Sequence, residues 1–141
     1  MAKEAKPTGL TKDAGWQIGV RRTIPVPVDA VWDFLTSPAG ARIWLGDGAV
    51  IPTEKGERVV TATGGEGELR SLRHKDRVRL RWRAPGWTHD TTVQIAVRGD
   101  ERKTSITFHE EWLADKRERE QQREHWQAVA DAIERELLPD G

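Results

Sequence analysis

The stretch DKREREQQREHWQAVADAIERELL, residues 115–138, decides the fold. Its first half is almost wholly charged. In its second half Trp126, Val129, Ala130, Ile133 and Leu137 recur at steps of three and four, the spacing of one face of an α-helix. Asp115 is placed to cap the first turn, and Pro139 followed by Gly141 is expected to stop the helix. At 1.5 Å per residue the helix is roughly 35 Å long, about the width of a small domain. A helix of that length with a single apolar stripe must lie against another layer.

The chain ahead of it supplies that layer. Residues 77–84 alternate strictly: Val78, Leu80, Trp82 and Ala84 against Arg77, Arg79, Arg81 and Arg83. This predicts a strand with one buried and one wet face. Strands are also predicted over 16–24, where Ile18, Val20, Arg22 and Ile24 share a face, and over 68–73 and 89–98. The last strand, 103–113, puts Thr104, Ile106, Phe108, Glu110 and Trp112 on one face. Weaker strands are predicted over 49–52 and 57–63 around a Lys55-Gly56 turn. Gly64, Gly65 and Gly67 read as a turn. Two short helices, 28–36 and 39–44, follow the first strand; Pro25 and Pro27 end that strand, and Pro38 opens the second helix. The expected architecture is α+β: a helix-grip fold in which a curved antiparallel sheet of six to seven strands wraps a long C-terminal helix. Residues 1–14 read as a loose tail and 15–139 as one domain.

Composition narrows the function classes. Lys plus Arg and Asp plus Glu number 23 each in a chain of 141 residues, so no bulk charge argues for nucleic acid or an anionic membrane. There is no cysteine, which excludes disulfides, thiol catalysis and zinc–thiolate sites. The apolar runs are too short to span a bilayer and the N-terminus has no signal-like core, so a cytoplasmic location is the expectation. No paired-histidine metal motif, nucleophile elbow or glycine-rich phosphate loop is present, and no cofactor is expected. Seven Trp beside two Phe and no Tyr is an unusual balance, offering large rigid surface for a core or a flat ligand.

The segments 24–46 (IPVPVDAVWDFLTSPAGARIWLG), 67–82 (GELRSLRHKDRVRLRW), 104–112 (TSITFHEEW) and 123–137 (REHWQAVADAIEREL) together resemble the SRPBCC, or START-like, superfamily. Within it they are most similar to the family of the activator of the heat-shock protein 90 ATPase. The resemblance implies a seven-stranded sheet gripping the C-terminal helix, with a cavity between them. Its members include ligand carriers, polyketide cyclases and co-chaperones, so the fold alone names no activity. Many relatives carry a His near the end of the last strand, where this chain has Glu110.

The candidate cavity residues are Trp44, Trp82, Val93, Ile106, Phe108, Glu110, Trp112, Trp126 and Ala130. Glu110 is the sharpest of them, because a carboxylate on an apolar face costs several kcal/mol unless paired or protonated. A strand end reaching solvent, or a pairing with Arg42, is the plainer account. His89 and His109 have no partner visible in sequence and read as surface residues, as do His74 and His125. The arginine comb at 77, 79, 81 and 83 offers a face for a protein partner, unless acids such as Glu68 and Asp90 neutralise it. The leading expectation is a monomeric or homodimeric protein holding a small hydrophobic or aromatic ligand. A cyclase-, aromatase- or hydrolase-type enzyme with Glu110 as acid or base, and a co-chaperone-like interaction module, are the alternatives.

Overall fold

The computed structural model describes residues 9–12 and 14–138. Seven strands form one antiparallel sheet in the order β1-β2-β7-β6-β5-β4-β3. They are β1 (Leu10–Thr11), β2 (Gly15–Ile24), β3 (Arg58–Val60), β4 (Glu66–Arg73), β5 (Arg77–Arg83), β6 (Thr91–Gly99) and β7 (Thr104–Leu113). The helices are α1 (Val28–Thr36), α2 (Pro38–Trp44) and α3 (Lys116–Leu137).

Alternation does the building. In β5 every second residue is buried, and the same holds along β6 and most of β7. The register aligns the buried sets into rows across the sheet: Ile18, Glu110, Val93, Leu80 and Leu69 form one, and Val20, Phe108, Ile95 and Val78 the next. The helix α3 covers this inner face, with Trp126, Val129, Ala130 and Ile133 buried beneath it. Burial of such side chains is worth about 1.5–3 kcal/mol each, which is what seats the helix. Arg22 also points inward, and the helix meets it with Asp131 at 2.8 Å and Glu134 at 3.0 Å. Asp115 caps α3, accepting from the Glu118 amide at 2.8 Å.

The helix boundaries agree closely with the expectation, and the glycine-rich middle does not. Residues 49–52 form no strand; Ala49 and Ile51 are buried from a loop instead. The strand expected over 57–63 shrinks to β3, because Thr61 turns back to hydrogen-bond Gly65. Gly67 lies inside β4, not in a turn: a Cβ there would run into the Arg81 carbonyl oxygen and meet the Trp82 ring at 2.8 Å, so the missing side chain is what lets β5 and Trp82 approach it. In the stretch expected to be a tail, Leu10 and Thr11 pair with Trp16 and Gly15. The remainder of that tail, residues 1–8 and 13, lies outside the described residues, as do Pro139 and Gly141.

A candidate site at a buried carboxylate

Glu110 stands near the end of β7, on the inner face between Ile18 and Val93. It is fully buried, at 0% exposure. Three neutral groups donate to its carboxylate. Thr91 Oγ1 reaches one oxygen at 2.7 Å, while Gln122 Nε2 and Trp126 Nε1 reach the other at 2.8 and 3.0 Å. The Thr91 donor comes from the neighbouring strand, and the other two come from successive turns of α3. Among the described residues no cation lies within ion-pair distance; Arg42 is at the surface, 3.7 Å from Asp47.

Burial pushes the Glu110 carboxyl above the usual carboxylate range. The three hydrogen bonds pull the other way, and the negative charge of Glu118 pushes it up further. A satisfied but uncharged surrounding of this kind holds the proton more tightly than water does, and it marks functional carboxylates in many proteins.

Trp126 completes the inner wall. Its indole stacks on Phe108, with centroids 5.5 Å apart and planes 17° from parallel. One turn toward the start of α3 is a second layer. Glu118 accepts from the Ala114 amide at 3.0 Å and lies 2.7 Å from His89 Nε2. Trp87 stacks flat against that imidazole at 4.9 Å. His89 therefore has a partner that sequence reading missed; the two are 29 residues apart, and only the closure of α3 over the β5–β6 turn joins them.

Residues 25–137 match the family described as Activator of Hsp90 ATPase homolog 1-like protein. The chain belongs to this family. Among solved structures it is similar to DynU16, encoded in the dynemicin biosynthetic locus, with a TM-score of 0.72 and 24% identity over 86% of this chain. It spans less than half of DynU16, 46% of that chain. CalU16 from Micromonospora echinospora gives a TM-score of 0.75 at 17% identity, over 89% of this chain and 76% of its own. An HSP90 activator from Plasmodium falciparum gives 0.71 at 15% identity, over 87% and 96%. Likeness at these identities is likeness of fold. No curated protein matches the chain.

Against this family fold, the expected cavity residues separate into three groups. Val93, Ile106, Phe108, Glu110, Trp126 and Ala130 are brought together between sheet and helix, with Trp82 buried two residues along from Leu80. Trp44 is buried too, but its Nε1 donates to the Leu35 carbonyl at 2.9 Å, tying α2 to α1. Trp112 is a correction. It is 49% exposed on the outside, with φ of +66°. Between Ile18 and Trp16 the partner strand steps from Glu110 to Leu113, so β7 carries one extra residue. That bulge reverses the alternation, and Leu113 takes the buried place instead. Gly15 accommodates the displaced ring: a Cβ there would meet it at 2.8 Å.

Trp126 and Phe108 are buried and stacked on each other between the sheet and α3. None of four surface depressions elsewhere on the molecule is lined by Glu110, Phe108 or Trp126. The arginine comb is largely neutralised by its neighbours. Arg79 pairs with Glu111 at 3.1 Å, Arg81 with Glu66 at 3.3 Å and Asp90 at 3.4 Å, and Arg83 with Asp90 at 2.9 Å. His109 lies on the outer face as expected, against Gln17 at 2.8 Å. No described helix is long and apolar enough to cross a membrane.

Proposed function

We propose that this protein is a ligand-binding module that holds a small hydrophobic or aromatic molecule between sheet and α3, with Glu110 as its polar anchor. The observation that carries the reading is a fully buried carboxylate held by three neutral donors and no described cation. A core built for stability alone is better served by an apolar residue at that position. Ligand pockets, by contrast, combine apolar walls with a few placed polar groups. Here the walls are Trp126, Phe108 and Val93. A ligand offering an N–H or O–H takes over a hydrogen bond that Gln122 makes in the free protein. Its flat face lies against the edge of the Trp126–Phe108 stack where Gln122 gives way, so entry requires the first half of α3 to lift from the sheet.

The test is a tryptophan-fluorescence titration of the protein against 2-naphthol, indole and 2-naphthylamine. A saturable change that is weakened in Glu110→Gln and in Trp126→Phe supports the reading. No saturable change with any of the three overturns it for flat aromatic ligands. The raised proton affinity of Glu110 also suits a general acid or base. A cyclase- or hydrolase-type activity would be distinguished by Glu110→Gln losing turnover while still binding ligand.

A further inference from the structure

The outer face of the sheet divides into two ends that treat their arginines differently. At one end Arg79, Arg81 and Arg83 are each paired with a carboxylate. At the other end stand Arg21, Arg77 and Arg98, and no described carboxylate lies within ion-pair distance of any of them. The register places them along one row and beside it. Arg21 faces Thr107, Thr107 faces Ala96, and Ala96 faces Arg77, so one row crosses β2, β7, β6 and β5 with an arginine at each end. Arg98 lies two residues along β6 from Ala96, opposite Ser105. A groove of about 370 Å³ lies along this row, lined by Ala96, Arg21, Arg98, Thr107, Ser105 and Asp76. Asp76 is engaged at the rim by Arg73 at 3.4 Å. Arg77 Nε is shielded from water and has no hydrogen-bond partner.

We propose that this groove docks an extended acidic peptide segment of a partner protein. Three features select that occupant. Arg21, which donates to Ser105 Oγ at 3.4 Å, and Arg98 line the groove with no described carboxylate at ion-pair distance, and Arg77 ends the row beyond it; this set of guanidiniums complements carboxylates. The arginines at the ends of the row are three strand spacings apart, about 14 Å, which is too wide for one small anion to sit at both backbone positions. An extended chain rises about 3.4 Å per residue, so acids four positions apart match that span. No aromatic ring lines the groove, which leaves a nucleotide base nothing to stack on. A partner acid at Arg77 would also draw the guanidinium toward the acceptor that its Nε lacks.

The experiment uses a fluorescein-labelled peptide, EGSGEGSE, in anisotropy titrations at low and at high salt. The Arg21→Gln/Arg98→Gln double variant is compared with Arg42→Gln/Arg123→Gln, a control at exposed sites elsewhere; thermal melts establish that all are folded. The expected result is saturable, salt-sensitive binding to the natural protein, about tenfold weaker in the groove variant and unchanged in the control. Backbone amide NMR shifts on peptide addition are expected to cluster at Arg21, Ala96, Arg98, Ser105 and Thr107. Equal affinity in the groove variant, an equal loss in the control, or shifts spread over the whole surface would overturn the proposal. So would full displacement of the peptide by stoichiometric inorganic phosphate, which would make the groove a phosphate site.

Discussion

The two halves of α3 are attached to the sheet by different physics. From Trp126 onward the helix is held mainly by buried apolar side chains, with Val129, Ala130 and Ile133 following the stripe and the half-exposed Arg22 pairs to Asp131 and Glu134 added at its edge. Before Trp126 it buries no residue, and its attachments are polar: Gln122 to Glu110, Glu118 to His89, and Arg119 Nε to the Gln17 carbonyl at 2.7 Å. Apolar burial is non-directional and survives small displacements. Hydrogen bonds do not, and each is worth only about 0.5–1.5 kcal/mol net because water offers the same groups a partner. One half is therefore an anchor and the other a latch, and Glu110 lies at the boundary between them.

Removing the anchor has the largest expected effect. Trp126→Ala is predicted to lower stability by about 3–5 kcal/mol in denaturant unfolding, as expected for truncating a buried aromatic. A loss below about 1 kcal/mol would mean that the indole is not core in solution, and the contrast between the halves would fail.

Weakening the latch comes second. Gln122→Leu takes one donor from the buried carboxylate and leaves the helix stripe untouched. The expected cost is about 1–3 kcal/mol, the usual penalty for an undersatisfied buried polar group. No loss at all in the same unfolding assay would show that water or another side chain readily replaces Gln122.

The smallest change at neutral pH is expected from Glu110→Gln, and its sign carries the information. The amide oxygen can accept from Gln122 and Trp126, while its NH₂ faces Thr91, whose hydroxyl can turn toward the Trp82 carbonyl at 3.4 Å. Burial holds the folded-state pKa of Glu110 above its unfolded value. The folded protein therefore binds this proton more tightly, and the contribution of Glu110 to stability falls as pH rises from the unfolded pKa through the folded one. The variant has no such proton. Relative to the natural protein it should gain stability as pH is raised through that window, as read from thermal melts at a series of pH values. A constant difference across the window would mean that Glu110 titrates as an ordinary surface acid.

How much of this was legible in sequence follows the same division. The anchor was legible because period 3.6 in α3 and period 2 in β5 and β6 are one-dimensional signals, and the register then has little freedom. Glu110 stood out for the same reason, as a charge in an apolar alternation. Its partners did not, because Thr91, Trp126 and Gln122 lie 19, 16 and 12 residues away and nothing in their own neighbourhoods marks them. Trp112 was misplaced because alternation assumes two residues per repeat, and the bulge beside Gln17 inserts a third. The arginine comb was legible as a row of charges, but its neutralisation by Glu66, Asp90 and Glu111 depends on pairing across strands.

Amide hydrogen exchange along α3 tests the central claim most directly, because it reads the opening of each half separately. Amides at 120–125 are predicted to exchange at least about tenfold faster than those at 129–134, and Gln122→Leu is predicted to widen that gap by accelerating the first group alone. Equal protection along the whole helix, or acceleration of both groups together in Gln122→Leu, would show that α3 opens as one unit and would contradict the division into anchor and latch.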